Sequence, residues 1–395
     1  MYKLTDYIKI TEVNSTDPLI LDAVGVCKRV KNKKRDFLFL NRHQGKHFPI
    51  SPSTTLAMYD ELCDLANAQF EHESIAIVGF SETATAIGYF MASELKGCQY
   101  VLKTTRELYD EVAPLVQFTE VHSHAPSQLL YGDLDKLRAC DRIVFVEDEI
   151  TTGNTILNFI RTLSDLSLDS KYGVISILNW QSKQDSKRFD DLCIPTVCLL
   201  RGNLINTTVA MPNAVTTQHT VELPANTLAG ERFGLTDPLG FGKQRDGVGE
   251  TVFNAIELRR WFDKESKKPS SRKKDVLVLG TEEFMYIPLQ IANFIEKNIA
   301  AEVAFHATTR SPIQSNRSSD EYAINCSEVV TSPYADRETY IYNLKKYDKV
   351  IVITDAPDNS GKFRQSMTDT LSAYGNSDIM FIRLIDKDAT EGECR

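Results

Sequence analysis

Residues 142–155 read Arg142-Ile143-Val144-Phe145-Val146-Glu147-Asp148-Glu149-Ile150-Thr151-Thr152-Gly153-Asn154-Thr155. The apolar run at the start predicts a buried strand, and the apolar spacing from Thr155 onward predicts a helix. Two adjacent carboxylates, Glu147 and Asp148, follow the apolar run, and a short Thr/Gly loop leads to the helix. Buried strands that alternate with helices form parallel sheets, whose ligands lie at the carboxyl ends of the strands. The segment therefore predicts an α/β fold with a ligand site at this loop.

The loop has the chemistry of a phosphate site. Backbone N–H groups and the dipole of the following helix favour an anion there, and Gly153 permits close approach of the backbone. Polar side chains of the loop add hydrogen-bond donors; they are Thr151, Thr152, Asn154 and Thr155. Because Glu147 and Asp148 can accept hydrogen bonds from neighbouring sugar hydroxyls, the residue types predict a 5-phosphorylated ribose with free 2- and 3-hydroxyls. The alternative is a capped helix after a buried strand, with a coincidental pair of acids.

Strand and helix signals alternate in two regions of the chain. Strands are predicted at 75–79, 100–102, 143–146 and 173–178, and again at 276–280, 302–306 and 350–354. Helices are predicted at 53–68, 83–95, 155–163 and 288–297. The stretch between the two regions mixes Thr, Pro, Asn and Gly, and it ends in a segment rich in Lys and Ser. We therefore predict one α/β domain over 1–205, an irregular connecting segment over 206–274 and a second α/β domain over 275–395.

Composition excludes several classes of protein. The chain has 395 residues, enough for two domains, and its formal net charge of −9 argues against a general nucleic-acid binder. No run approaches the roughly 20 apolar residues that span a membrane, and residues 1–10 lack the pattern of a secretory signal. The eight cysteines are scattered along the chain, so we expect reduced thiols in a cytoplasmic protein.

Residues 142–155 resemble the phosphoribosyl pyrophosphate motif of the type I phosphoribosyltransferases. That motif has an apolar strand, an acid pair, one or two small residues, Thr-Thr-Gly, a small residue and Thr, and the match runs through its full length. The resemblance implies a type I phosphoribosyltransferase fold, in which a parallel sheet carries helices on both faces and a hood at its N-terminal end. It also implies that Glu147 and Asp148 act in catalysis and lie near a Mg²⁺ ion that is held mainly through the donor.

The resemblance assigns roles to two upstream segments. In Gly79-Phe80-Ser81-Glu82-Thr83, the backbone amides of Phe80, Ser81 and Glu82 would hold the pyrophosphate. In Lys103-Thr104-Thr105-Arg106, either Lys103 or Arg106 would supply the positive charge that a departing pyrophosphate needs. A plain strand–helix connection and a solvated charged loop are the respective alternatives.

Two further segments resemble the hood and the mobile lid of this family. Residues 37–49 are similar to the hood of orotate phosphoribosyltransferases, but their turn is far more basic; its candidate base contacts are Arg42, His43, Lys46 and His47. This departure indicates an anionic or acceptor-rich base, or extra pyrophosphate contacts, whereas an exposed basic hairpin is the alternative. The lid falls within 107–137 and contains His122 and His124, for which contact with substrate or a solvated pair is favoured over a metal site.

Together these segments resemble the orotate-phosphoribosyltransferase-like family of bacterial tellurite-resistance and stress operons. Thr309-Arg310-Ser311-Pro312 matches the TRSP domain, which follows the transferase domain in that family, and Gly280-Thr281-Glu282-Glu283-Phe284-Met285-Tyr286 agrees with it. The resemblance implies a transferase that joins a nucleobase-like molecule to phosphoribosyl pyrophosphate with Mg²⁺ and releases pyrophosphate. A nucleoside-like stress metabolite is one product that this implies, and a homodimer is one assembly.

The two α/β regions also resemble each other, which indicates a duplication. Segments that match in order and spacing are 78–82 with 279–283, 104–106 with 308–310, and 141–148 with 348–355. The second copy lacks the Thr-Thr-Gly loop, and Thr354 replaces the first acid. We expect Glu282, Arg310 and Asp355 either to bind another ligand or to complete the first site across an interface.

Two other functions remain open from the sequence. One is a regulator that binds phosphoribosyl pyrophosphate without turnover, and the other is an interaction protein of a stress complex. Release of pyrophosphate in the presence of candidate bases separates the enzyme from both.

Overall fold

The computed structural model describes residues 4–30, 37–108, 113–118, 128–168, 170–205, 231–235, 256–267, 273–299, 301–316, 324–356 and 361–386. Within these residues the chain forms two large sheets covered by helices, and two further pairs of strands.

Residues 4–205 build the first unit. Its strands are β1 (Ile8–Val13), β2 (Val24–Lys28), β3 (Phe37–Asn41), β4 (Ile75–Gly79), β5 (Cys98–Thr105), β6 (Val116–Phe118), β7 (Gln128–Leu130), β8 (Arg142–Ile150), β9 (Lys171–Asn179) and β10 (Thr196–Leu204). Its helices are α1 (Pro52–Gln69), α2 (Thr85–Glu94), α3 (Leu134–Arg138), α4 (Asn154–Asp165) and α5 (Lys183–Asp191), with 3-10 turns at Leu4–Asp6 and Arg42–Gln44.

The first sheet has the strand order β1-β10-β9-β8-β4-β5-β7-β6. Strands β10, β9, β8, β4 and β5 are parallel, whereas β1, β7 and β6 each run antiparallel to a neighbour. The apolar run at 143–146 is fully buried in the middle of this sheet. The carboxyl end of β8 therefore lies between β4 and β9, where the sequence predicted the ligand site.

Described residues from 231 onward build the second unit. Its strands are β11 (Glu231–Leu235), β12 (Lys274–Gly280), β13 (Ala301–Ala307), β14 (Ser327–Thr331), β15 (Glu338–Tyr342), β16 (Lys349–Thr354) and β17 (Ile379–Asp386). Its helices are α6 (Ile256–Glu265), α7 (Tyr286–Asn298) and α8 (Lys362–Ala373).

The second sheet has the order β11-β17-β16-β12-β13, with all its strands parallel. Four strands of this sheet match four strands of the first sheet in position. The pairs are β12 with β4, β13 with β5, β16 with β8, and β17 with β9. The related α/β architecture predicted for the second region is thus present. β11 takes the place of β10, although β11 comes before the other four strands in the chain.

The pairing of residues within the two sheets is also the same. Equivalent pairs are Gly79–Lys103 with Gly280–Ala307, and Val78–Phe145 with Leu279–Val352. In this register Asp355 takes the place of Asp148, and Arg310 takes the place of Arg106. These are the positions that the sequence repeat predicted.

The segment predicted as irregular, 206–274, contributes regular elements to the second unit. It contains β11, α6 and the start of β12. Leu258 of α6 is buried in the core, and Trp261 and Phe262 pack against it. The strand was missed because its pairing partner, β17, lies at the other end of the second unit.

One continuous apolar core joins the two units. Helix α7 packs against α1 and α2, and Tyr286 stacks on Tyr89 with ring centroids 5.8 Å apart. Ile50 of the first unit exchanges two backbone hydrogen bonds with Phe305 of β13, at 3.1 and 2.7 Å. The carboxyl ends of both sheets are thereby held next to each other.

The described residues contain seven cysteines, all of them free thiols. Among the helices described, none has the length and apolar character that crossing a membrane requires.

Candidate functional site

The carboxyl end of β8 presents three consecutive carboxylates, Glu147, Asp148 and Glu149, all half-buried. The strand remains paired with β9 through Ile150, so the acid pair lies within the sheet rather than in a loop. Burial and the neighbouring Glu149 raise the pKa of Asp148 to about 6, while a hydrogen bond from Thr83 opposes this increase. A carboxyl with this pKa changes its charge just below neutral pH.

The turn after β8 brings the N-terminus of α4 to the same place. Gly153 is the N-cap of α4 with φ of 72°, a left-handed conformation that glycine adopts readily. A Cβ atom at this position would lie 2.4 Å from Cζ of Phe189, so the turn has no room for a side chain. Arg188 donates to Oδ1 of Asn154 at 2.7 Å, and the backbone N–H of Asn154 donates to Oγ1 of Thr152 at 3.3 Å. Acids, hydroxyls and a helix N-terminus therefore meet at one edge of the sheet.

The predicted pyrophosphate loop, residues 79–83, follows β4 beside this edge. The backbone N–H of Phe80 donates to the carbonyl of Val146 at 3.0 Å, and that of Ser81 donates to Oγ1 of Thr104 at 2.9 Å. Two of the three amides assigned to pyrophosphate thus donate within the protein. The Ser81–Glu82 peptide bond is cis. The side chain of the third residue, Glu82, is buried and faces the second unit.

The predicted cations also face the second unit. Nζ of Lys103 lies 3.5 Å from Oε2 of Glu283, and the backbone N–H of Arg106 donates to Oε1 of Glu283 at 3.3 Å. A hydrogen bond from the side chain of Thr105 and the charges of Lys103 and Arg310 hold the pKa of Glu283 below its usual value, although burial acts in the opposite direction. The cationic segment 103–106 is therefore occupied by a carboxylate of the second unit.

The basic turn of the hood divides into two halves. Arg42 lies over the ring of Phe48 at 5.3 Å, and Nδ1 of His43 is 3.7 Å from Oδ2 of Asp17. Burial is the main reason that the pKa of His43 is lowered. These two side chains remain with the first unit.

Lys46 and His47 enter the interface with the second unit. Lys46 is fully buried, and its Nζ lies 2.5 Å from Oε1 of Glu82 and donates to the carbonyl of Glu282 at 2.5 Å. Burial lowers the pKa of Lys46 and, with the charge of Lys46, lowers that of His47 to about 3. The ring of His47 lies 5.9 Å from that of Tyr342. This half of the hood joins the two units instead of lining an open base site.

The candidate residues of the second unit separate into two groups. Oδ1 of Asp355 accepts a hydrogen bond from Tyr334 at 2.5 Å, and burial raises the pKa of Asp355 while nearby Lys103 lowers it. Arg310 instead reaches across to Glu82 of the first unit at 3.3 Å, and the carbonyl of Glu282 accepts from Lys46 of the first unit. Asp355 therefore belongs to the equivalent strand end, and Arg310 and Glu282 belong to the interface.

Sequence reasoning missed four charged or polar residues of this region; they are Thr83, Glu107, Glu283 and Arg337. Glu283 had a usable signal, since the repeat aligns it with Glu82. The lid histidines, His122 and His124, lie outside the described residues.

Comparison with known proteins gives two family matches. Residues 24–201 match the family described as phosphoribosyl transferase, and residues 240–371 match the TRSP domain that is C-terminal to it. No curated protein matches the chain.

Solved structures similar to the chain include adenine phosphoribosyltransferases from Trypanosoma brucei and Rhodothermus marinus. The first, in complex with AMP, pyrophosphate and ribose-5-phosphate, is 14% identical with a TM-score of 0.36 and covers 49% of this chain and 86% of its own. The second is 17% identical with a TM-score of 0.35, and the match covers 46% of this chain and 96% of the Rhodothermus marinus chain. An orotate phosphoribosyltransferase from Aeropyrum pernix is 14% identical with a TM-score of 0.30, and the match covers 46% of this chain and 88% of the Aeropyrum pernix chain.

Proposed function

Because residues 24–201 belong to the phosphoribosyl transferase family and residues 240–371 form the TRSP domain that follows it, we propose that the chain transfers a phosphoribosyl group from phosphoribosyl pyrophosphate to a nitrogenous base. The observation that carries this proposal is the end of β8. There Glu147 and Asp148 are followed by Glu149 and Ile150, then by the Thr-Thr-Gly turn and the N-terminus of α4.

In this proposal the turn and the acid pair bind opposite ends of the ribose 5-phosphate group. The hydroxyls and N–H groups of 151–155 take the 5-phosphate, aided by the dipole of α4. The carboxylates of Glu147 and Asp148 accept hydrogen bonds from the 2- and 3-hydroxyls, and charge makes such bonds stronger. Asp148 is ionised for this role above its pKa of about 6.

The proposed reaction breaks the bond between C1 of the ribose and the pyrophosphate oxygen and forms a bond from C1 to a nitrogen of the base. The bonding electrons leave with the pyrophosphate, so positive charge develops on the ribose ring. Half-buried carboxylates next to the ring stabilise that charge, because electrostatic interactions are stronger away from bulk water. Catalysis is then mainly a matter of positioning and electrostatics.

The oxygen ligands at the end of β8 suit Mg²⁺. Within the described residues, no group of three or more His, Cys, Asp or Glu side chains is placed to hold a metal alone, and Mg²⁺ often binds through one or two carboxylates together with substrate phosphates. Glu147 and Asp148 would lie next to the ion. When bound, Mg²⁺ neutralises charge on the pyrophosphate oxygens.

We further propose that the hood contributes Arg42 and His43 to the base, since these two side chains remain with the first unit. An acceptor-rich or anionic base suits such donors. The direct product would be the ribonucleotide of that base, which would lead to a nucleoside-like metabolite of a cytoplasmic stress or tellurite-resistance pathway, as the family resemblance implies. The free thiols of the described residues agree with a reducing compartment.

The test of the activity is release of pyrophosphate. Purified protein with Mg²⁺ and phosphoribosyl pyrophosphate is offered a panel of bases and then a fractionated metabolite extract. Consumption of the donor with equimolar pyrophosphate release supports the proposal. The matched control is Asp148→Asn, and a base-dependent rate that this substitution leaves unchanged would contradict the assigned site.

A donor-binding regulator without turnover is the second candidate. It is favoured by the contact of Glu283 with Lys103 and with the backbone N–H of Arg106, which places a carboxylate where the leaving group needs positive charge. Calorimetry together with the pyrophosphate assay separates the two candidates, because both bind the donor but only the enzyme releases pyrophosphate with a fraction of the extract.

A further inference from the structure

The two units meet through equivalent loops that have the same internal geometry. In the first unit the N–H of Ser81 donates to Oγ1 of Thr104 at 2.9 Å. In the second unit the N–H of Glu282 donates to Oγ1 of Thr308 at 3.0 Å. Each loop therefore lies against the Thr-Thr-Arg segment of its own sheet in the same way.

Each loop also sends a glutamate to the Thr-Thr-Arg segment of the other unit. The carboxylate of Glu82 accepts from the backbone N–H of Arg310 at 3.2 and 3.3 Å. The carboxylate of Glu283 accepts from the backbone N–H of Arg106 at 3.3 Å. Glu82 is equivalent to Glu283 and Arg106 to Arg310, so these two contacts are exchanged about an approximate two-fold axis within one chain. The second unit meets the first as a second copy would.

Side chains reinforce both contacts. Nε of Arg310 lies 3.3 Å from Glu82 and also 3.3 Å from Glu282, and its Nη1 donates to Glu107 at 2.9 Å. Its Nη2 donates to Glu283. Arg310 is only 11% exposed, and the surrounding carboxylates raise its pKa even though burial opposes this. One arginine of the second unit is therefore the shared partner of the loop carboxylates from both units.

We propose that Arg310 is a positioning residue for the pyrophosphate end of the donor, supplied to the transferase site by the TRSP domain. This proposal rests on the proposed function of the first unit. Arg310 fixes the loop 79–83 through Glu82, and Glu283 fixes the segment 103–106 through Arg106 and Lys103. Both parts assigned to pyrophosphate are thus held from the second unit. In the 5-phosphate turn at 151–155, Asn154 is held by Arg188 and Thr152, both of the first unit.

This division predicts selectivity between ligands. Loss of Arg310 frees the carboxylate of Glu82 to move, so the loop loses its fixed orientation toward pyrophosphate. Ribose 5-phosphate uses the turn and the acid pair but carries no pyrophosphate, so its binding does not depend on that loop. A general loss of stability would weaken the binding of phosphoribosyl pyrophosphate and of ribose 5-phosphate to the same degree.

The experiment measures the binding of phosphoribosyl pyrophosphate, pyrophosphate and ribose 5-phosphate to the full chain by calorimetry with Mg²⁺. For Arg310→Met we expect about tenfold weaker binding of the first two, in line with the loss of a charge-assisted hydrogen bond, and ribose 5-phosphate binding unchanged. Arg310→Lys keeps the charge and should recover part of the loss.

The matched control is Lys349→Met. Lys349 is a buried cation of the same unit, 2.5 Å from Asp378, and lies at the amino end of β16, away from the loops. The Lys349→Met substitution should leave the affinities for phosphoribosyl pyrophosphate, pyrophosphate and ribose 5-phosphate unchanged. The proposal is overturned if Arg310→Met binds the donor like the wild type, or if it loses all three ligands to the same degree. Failure of the wild type itself to bind the donor would instead overturn the proposed function, and this inference with it.

Discussion

Gly153 separates the carboxylates of β8 from α4 through a backbone angle that residues with a Cβ atom avoid. The equivalent N-cap of α8 is Gly361, with φ of 62°. The surroundings differ: a Cβ at Gly153 would meet Phe189 at 2.4 Å, whereas one at Gly361 would meet nothing within 4 Å. Both positions therefore require a left-handed backbone, but only Gly153 also lacks room for a side chain.

Gly153→Ala should destabilise the protein more than Gly361→Ala. Both substitutions place a Cβ in the left-handed region, at a cost of roughly 1–2 kcal/mol. Gly153→Ala adds overpacking against Phe189, for a total of about 2–5 kcal/mol. Denaturant unfolding of the two variants measures the difference, and equal losses would show that Phe189 yields without cost.

Asp148→Asn should stabilise the protein without ligand and weaken its binding of the donor. The folded-state pKa of about 6 lies above the ordinary aspartate value of 3.8, so the stability that the protonated carboxyl contributes is lost as pH rises through 6. At pH 7.5 the variant should be more stable by about 1–3 kcal/mol. It should bind the donor about 1–2 kcal/mol more weakly.

The pH dependence gives a second check on Asp148. Donor affinity of the wild type should fall below pH 6 as the carboxylate becomes protonated, and the slope should be smaller in Asp148→Asn. Calorimetry between pH 5 and 8 tests this, and identical profiles would exclude Asp148 as the titrating group.

The elements that the sequence predicted best are those with strong local patterns. The strand at 75–79 has the predicted bounds, and the helix predicted at 53–68 spans Pro52–Gln69. The acid pair, the Thr-Thr-Gly turn and the start of α4 lie together because they are consecutive in the chain. Local sequence patterns do not show which distant segment supplies the partner of a buried charged side chain. Lys46 fits an exposed basic turn by its neighbours, but Glu82 and the carbonyl of Glu282 make it a buried cation.

Helix α6 illustrates a signal that was present in the sequence. Leu258, Trp261 and Phe262 follow helical spacing, and all three pack in or against the core. Strand β11 had no comparable signal, because a strand is stabilised by its partner and that partner follows much later in the chain.

Lys46→Met should cost about 3–5 kcal/mol of stability, because it leaves the buried carboxylate of Glu82 with less compensating charge. The double variant Lys46→Met/Glu82→Gln should recover part of this loss. Lys187→Met is the control, since Lys187 is exposed and pairs only with Asp191 one helical turn away. Urea unfolding of the three variants decides the matter; a loss no larger than that of Lys187→Met would mean that the hood contact is energetically unimportant.

The molecule as a whole combines two related sheets, and the acid pair and Thr-Thr-Gly turn proposed to bind the donor belong to the first. Thr354 stands where the first unit has Glu147, and Asp355 accepts a hydrogen bond from Tyr334. The second unit instead presents Arg310 and Glu283 to the first. Duplication followed by loss of one site would give this division of roles.

One molecule of phosphoribosyl pyrophosphate should therefore bind per chain. The second strand end has Thr354 in place of the first acid, and the sequence after Asp355 has no Thr-Thr-Gly, so two groups proposed to bind the sugar phosphate in the first unit have no counterpart there. A calorimetric titration gives the stoichiometry, and Asp355→Asn serves as the control that should not alter it. Two donors per chain, or loss of binding in Asp355→Asn, would contradict this account.

The position of β11 has a consequence for how the protein is made. During translation β11 leaves the ribosome before every other strand of its sheet, yet it pairs with β17, the last strand described. Lys46 and Glu82 are synthesised much earlier than Arg310 and Glu282. Their charges are therefore fully compensated only after the second unit has been made. Because such distant contacts form late, the nascent chain carries β11 as an unpaired strand from the synthesis of residue 235 until that of β17. A chaperone that binds extended apolar segments would find its target in that interval.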